Sequence, residues 1–342
     1  VNRHHWIEVQ AALTQLIGAY EGFRSVVLHE GLKQPVWVSN ANTYPAVEQH
    51  TCGPGEWKAL ARRIRTRGFN LQKEPCIRFD WVEGGGKRFL CITNHHLLFD
   101  GWGKQALLRD FIGFLHHPQR QLPVKLNRHW YEAWTQLDHT SALVAYKRYV
   151  KSFDSFAELT KHSSPTGQHC TFSEQIPRTL LDGLSRDWGL TPAEALNFSW
   201  GCFISNYTQT PSVQFGVVKQ NGLISSLPNA FGLGIQTLPC QMVVDLHAPM
   251  NHLLEAFKQR ERSVAAFPFV NTLDSAFSDL QFSFLIAFEN YPLEAGLEAA
   301  ESEFTLMDSH DFSEFPLSLA VTPSDGQYTL DWHFHSASHP AA

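Results

Sequence analysis

The chain has 342 residues, of which 43% are hydrophobic and 18% charged, with a formal net charge of −6 and a pI near 6.3. That length and mix suit one large or two ordinary folded domains and exclude a disordered chain. The acidic balance gives no electrostatic support for holding nucleic-acid phosphates, and no apolar run is long enough to span a bilayer.

In chain order, residues 5–22 place Ile7, Ala11, Leu13, Leu16, Ile17 and Tyr20 at helical intervals. Phe23 to Leu28 then switches to strand chemistry, and Gln34 to Val38 gives a second strand. Taken alone, Arg24 is a charge at a strand start. Glu56 to Arg67 follows Gly53-Pro54-Gly55 and reads as a basic amphipathic helix with a solvated arginine face. Phe69 to Val82 opens a hairpin, Gly84-Gly85-Gly86 turns it, and Arg88 to Asn94 returns.

The returning strand ends in Cys91-Ile92-Thr93, and His95 and His96 stand where it stops. Leu97-Leu98-Phe99 makes an apolar bend, Asp100-Gly101 forces a turn, and Gln105 to Leu115 has helical spacing. Two imidazoles thus sit at the mouth of a strand–loop–helix unit beside a carboxylate. A bare histidine pair is more often structural; the whole string His95-His96-x-x-x-Asp100-Gly101, followed by Trp102, sets this pair apart.

Further on, Asn127 to Trp134 is an aromatic helix of core character, and Ser141 to Leu159 continues as helix. Lys161 to Gln168, broken by Pro165 and Gly167, reads as a linker. After it the pattern restarts with a strand at Phe172–Ile176, a helix over Pro177–Trp188, and a helix capped by Thr191 with Pro192 in its first turn. Val213 to Val218 reads as a buried strand. The six cysteines are widely spaced, with no Cys-x-x-Cys pair, and look like small buried hydrophobes in a reducing compartment, so the cytoplasm is the expected location. Among the 18 histidines, His333 and His335 point to one strand face with His339 nearby, but the spacing fits no known metal motif and no metal is expected.

The string from His95 to Trp102 resembles the core motif of the condensation domains of nonribosomal peptide synthetases, within the coenzyme-A-dependent acyltransferases that include chloramphenicol acetyltransferase. Other segments match that family in order. Tyr20-Glu21-Gly22-Phe23-Arg24-Ser25 stands for its His-Glu-x-Leu-Arg-Thr, with Tyr20 at the usual histidine. Ala230 to Pro239 resembles its Gly-x-Phe-x-Asn-Thr-Leu-Pro, with Gly234 and Gln236 at the usual Phe and Asn. Val264-Ala265-Ala266-Phe267-Pro268 lacks the polar groups usual there, while Phe288-Glu289-Asn290-Tyr291-Pro292 is very close to the family's Phe-Glu-Asn-Tyr-Pro. The family's opening Gln-x-Arg segment and its closing helices have no counterpart, so the chain reads as a domain truncated at both ends.

The resemblance implies an α/β fold of two chloramphenicol-acetyltransferase-like lobes arranged as a V, with the active site between them. Residues 1–165 would form the N-terminal lobe and 166–342 the C-terminal lobe. It implies amide bond formation between a carrier-bound acyl or peptidyl thioester and a carrier-bound aminoacyl acceptor. His96 would be catalytic, with His95, Asp100, Gly101 and Arg24 supporting it and Asp100 paired to Arg24. No cofactor would be bound; phosphopantetheine arms would come from upstream and downstream peptidyl carrier domains, beside a neighbouring adenylation domain. No nucleic acid or membrane partner is implied. The alternatives are a catalytically impaired docking scaffold and an epimerization-type relative. The chemistry suits a histidine: an α-amine, pKa about 7.7–8.0, is partly neutral at pH 7. An imidazole near about 6.5 is matched to take its proton after attack.

Overall fold

The protein is described from a computed structural model, over residues 4–40, 42–151, 169–220, 227, 231–245, 247–264, 283–290, 304–310, 313 and 315–335. It divides into two compact units. One is Val1–Gln136 with Gly222–Gly234 and Tyr291–Ser309; the other is Leu137–Asn221 with Ile235–Asn290 and His310–Ala342. The division at 136/137 differs from the expected border at 165/166, which falls outside the described residues. The reason is packing: Ala142, Tyr146 and Tyr149 of the helix His139–Lys151 bury themselves with Leu238 and Val264 of the second unit. In the opposite sense, Phe231 packs into the first unit's core.

In the first unit, α1 (Trp6–Ala19) runs into a short 3-10 turn at Glu21–Arg24. Strands β1 (Ser25–Leu28) and β2 (Val36–Ser39) pair antiparallel. Next come β3 (Val47–Cys52), α2 (Trp57–Thr66), β4 (Ile77–Gly84), β5 (Lys87–Asn94), α3 (Gly101–His116) and α4 (Asn127–Thr135). β3, β4 and β5 form one sheet in that order; β3 and β4 run parallel, joined through α2, and β5 returns antiparallel. β3 is not legible as a strand in the sequence because Glu48, Gln49, His50 and Thr51 make it polar. A strand at a sheet edge tolerates that composition, since only one side of it is hydrogen-bonded.

The two-residue period of β4 sorts its side chains. Ile77, Phe79 and Trp81 join the core with α1 and α3, where Val9, Leu13, Leu16, Phe111 and Phe114 are buried. Val82 faces the other way, into a smaller cluster with Leu60 and Phe89 against α2. β4 is buried over Ile77–Val82, as a central strand covered on both faces must be.

The second unit holds α5 (His139–Lys151), β6 (His169–Pro177), α6 (Arg178–Trp188), α7 (Pro192–Thr208), β7 (Ser212–Gln220), β8 (Ile235–Val243), α8 (Met250–Val264), β9 (Phe284–Phe288), β10 (Leu317–Ser324) and β11 (Gln327–His335). Its sheet has the order β6-β11-β10-β9-β7-β8. α7 begins as its sequence predicts: Thr191 and Glu194 cap each other's backbone N–H, with Pro192 in the first turn. All six cysteines are free thiols, and burial pushes Cys76, Cys91 and Cys202 up to about 11. Among the described residues, no helix is long and apolar enough to cross a membrane.

Candidate functional site

The histidine pair lies just past β5, whose last residue is Asn94, so strand alternation does not fix the two rings. The backbone turns instead. His95 N–H donates to Cys76 O at 2.8 Å, and Leu98 N–H donates to His95 O at 3.0 Å. The half-buried His95 ring accepts the Leu97 N–H through Nδ1 at 3.2 Å and meets Phe69 edge-on at 6.4 Å. The Arg78 guanidinium also lies over Phe69, 4.1 Å from its ring centre. His96 is exposed, with no hydrogen bond to its ring among the described residues, while Leu98, Phe99 and Asp100 turn inward.

Asp100 is the hinge of this loop. Its Oδ1 accepts the N–H groups of Trp102 (3.0 Å) and Gly103 (3.2 Å), the N-cap arrangement that satisfies donors at a helix start. Its Oδ2 accepts the N–H of Gly234 at 2.8 Å. The carboxylate is 4% exposed and needs these partners, because an unpaired buried charge is costly. Gly101 opens α3, and its N–H is not among the groups Asp100 holds.

Arg24 does not pair with Asp100. No ion pair joins them among the described residues, and Arg24 Nε is buried without a hydrogen-bond partner. Arg24 ends a 3-10 turn just before β1, and both oxygens of Asp100 are already taken by backbone N–H groups. Three backbone N–H groups take the place of one guanidinium.

Tyr20, which stands at the family's usual histidine, has its own network. Its hydroxyl donates to Asp110 Oδ2 at 2.7 Å, and Lys125 Nζ donates to the same oxygen at 2.7 Å and to the Tyr20 hydroxyl at 2.9 Å. Burial pushes Asp110 up, but the hydrogen bonds from Lys125 and Tyr20 outweigh it and hold the carboxyl below its usual range. Burial, then the Asp110 charge, drives the Tyr20 phenol far above its ordinary value. Tyr20 also meets Phe231 edge-on at 4.6 Å, and Phe23 and Phe99 touch the same ring. The segment that delivers Gly234 to Asp100 is thereby anchored by aromatic contacts.

Sequence reasoning singles out His95, His96, Asp100 and Gly101, and the structure brings them into one turn. It misses the Gly234 backbone, Phe69 and Arg78 as neighbours of that turn. In the sequence Gly234 is only a departure from the family pattern; a glycine where a bulky side chain is usual was the available signal. Ala265 to Phe269 and Tyr291-Pro292 lie outside the described residues. On β11, His333 lies 5.5 Å and His335 5.4 Å, ring to ring, from His169, but these histidines do not form a close-set ligand group; His339 lies outside the described residues.

The mixed α/β architecture and its likeness to solved condensation domains give the chain the chloramphenicol-acetyltransferase-like fold. The chain belongs to the condensation domain family, whose model matches residues 5–339. It is 25% identical over 343 residues to one of the linear gramicidin synthase proteins of Brevibacillus parabrevis, covering 93% of this chain and 7% of that one. It is 23% identical to surfactin synthase subunit 3 of Bacillus subtilis (strain 168), covering 93% of this chain and 27% of the relative. The chain therefore spans a minor part of these relatives' length. Among solved structures, the condensation domain from monacolin K polyketide synthase MokA superposes with a TM-score of 0.76 at 12% identity, over 98% of this chain and 85% of that one.

Proposed function

We propose that this domain forms an amide bond between a carrier-bound acyl or peptidyl thioester and a carrier-bound aminoacyl acceptor, with His96 as its catalytic residue. The observation that carries this reading is the contrast within the turn: His96 is exposed, while Leu98 and Asp100 beside it are buried and held. A reactive group on a pinned frame loses little freedom when substrate arrives. In this reading the acceptor nitrogen attacks the thioester carbonyl, His96 holds the amine and takes its proton, the C–S bond breaks, and sulfur leaves as the thiol with that proton. The Gly101 N–H stabilises the intermediate oxyanion. Both substrates ride on phosphopantetheine arms of upstream and downstream peptidyl carrier domains, with an adenylation domain as neighbour; the condensation chemistry itself draws on no bound cofactor.

The test is a carrier-bound condensation assay. His96→Ala should lose about 100-fold or more, in the range of a lost general base, with an unchanged melting temperature. Wild-type turnover in that variant removes His96 from the chemistry, and no amide formation above background by the wild type leaves a docking scaffold. Chiral analysis that finds an epimerised aminoacyl thioester and no amide points to the epimerization-type reading.

A further inference from the structure

A second cluster of ligating groups lies on the three-stranded sheet, away from the histidine turn. Register sets it up. β3 and β4 are parallel, and Glu48 stands directly opposite Asp80. On β3, Cys52 packs with Val82 and Leu60 against α2, so the residues two and four places before it, His50 and Glu48, share that face. Asp80, two places before Val82, shares it too. His50 Nε2 is hydrogen-bonded to Asp80 Oδ1 at 2.8 Å and lies 3.8 Å from Glu48 Oε2. One ligand atom from each residue falls within 4.8 Å of the others.

We propose that Glu48, His50 and Asp80 bind one Zn²⁺ ion, which fastens the polar edge strand β3 to β4. Zinc bonds of about 2.0–2.2 Å set tetrahedral ligand atoms roughly 3.3–3.5 Å apart, and the two measured separations bracket that figure. The second observation is Asp80 itself. It is 3% exposed, and its Oδ2 has no hydrogen-bond partner. A buried carboxylate oxygen left unsatisfied is costly; a cation that replaces the His50–Oδ1 hydrogen bond and is held by both Asp80 oxygens removes that cost. The outer groups fit as well. Arg67 Nη1 holds Glu48 Oε1 at 3.3 Å while Oε2 faces His50, and Arg67 also reaches Glu74 at 3.6 Å. Arg78, on the Asp80 face, lies over Phe69 and makes no ion pair with Asp80 among the described residues. The carboxylates of Glu48, Glu74 and Asp80 outnumber the guanidiniums of Arg67 and Arg78, so the surroundings are net anionic. One imidazole and two carboxylates form a nitrogen–oxygen donor set suited to zinc, with water completing the shell.

The experiment uses untagged, chelator-treated protein titrated with ZnCl₂ by calorimetry, and with CoCl₂ by visible absorption. Wild type should bind one equivalent of zinc, gain melting temperature with it, and give a cobalt d–d band. His50→Gln and Glu48→Gln, both at partly exposed positions, should weaken zinc at least tenfold and lose the band. Asp80→Asn should do the same, with folding checked by circular dichroism. Absence of stoichiometric zinc in wild type overturns the proposal. So does equal affinity in the wild type, His50→Gln and Glu48→Gln, since that places the metal on other histidines.

Discussion

The Asp100 carboxylate accepts the backbone N–H of Gly234, 134 residues downstream, at 2.8 Å. One oxygen thus starts helix α3 while the other ties down a distant segment. Asp100→Ala removes an N-cap and leaves three N–H groups without their acceptor. A cap alone is worth about 0.5–2 kcal/mol and a buried unsatisfied group about 1–3 kcal/mol, so urea unfolding should show a loss of about 3 kcal/mol or more. Asp100→Asn keeps one acceptor oxygen and should lose less.

Arg24 should be nearly independent of Asp100. An ion pair between them would couple the sites strongly; without a shared contact the coupling should stay within about 0.5 kcal/mol. The double-mutant cycle of Arg24→Ala with Asp100→Asn measures this, and a coupling of several kcal/mol would sink the amide-cap account.

The two histidines should separate stability from activity. His96 is exposed, so His96→Ala should stay within about 0.5 kcal/mol of wild type while losing condensation. His95 accepts the Leu97 N–H and packs on Phe69. His95→Ala should therefore cost roughly 1–2 kcal/mol, a hydrogen bond plus packing. Denaturant midpoints beside turnover distinguish the two.

Asp110 predicts an acid limb. Its folded pKa is lowered, so the stability it contributes is complete above the unfolded value of about 3.9 and is lost as pH falls through the lower folded value. Wild type should exceed Asp110→Asn in melting temperature at pH 7, and the gap should narrow below about pH 4. A gap independent of pH would mean that the carboxylate's charge is not what Lys125 and Tyr20 recognise.

Gly103 is required by contact rather than by backbone angle. A Cβ there would collide with Phe99 Cβ and stand 3.2 Å from Phe231 Cε2. Gly103→Ala should cost about 1–3 kcal/mol by overpacking. Because it pushes on the loop between His96 and α3, it should also slow condensation; wild-type stability in this variant would show that the loop yields freely.

The family, the order of elements from α1 to β7 apart from β3, and the turn that carries His95 and His96 were legible from the residues, while β8, α8, β9 and β10 were not. Those features rest on local chemistry: alternation made β4 and β5 readable, Thr191-Pro192-x-Glu194 announced α7, and Asp100-Gly101 marked the start of α3. Partners were a different matter. The residues show that a buried Asp100 needs donors but not which ones, and folding supplied Gly234 in place of Arg24. Likewise Glu48 and His50 look like loop residues until parallel pairing sets them beside Asp80. Spacing along a chain encodes periodicity within one element, whereas a hydrogen-bond or ligand partner is chosen by proximity between elements, which exists only once the sheets and helices have packed.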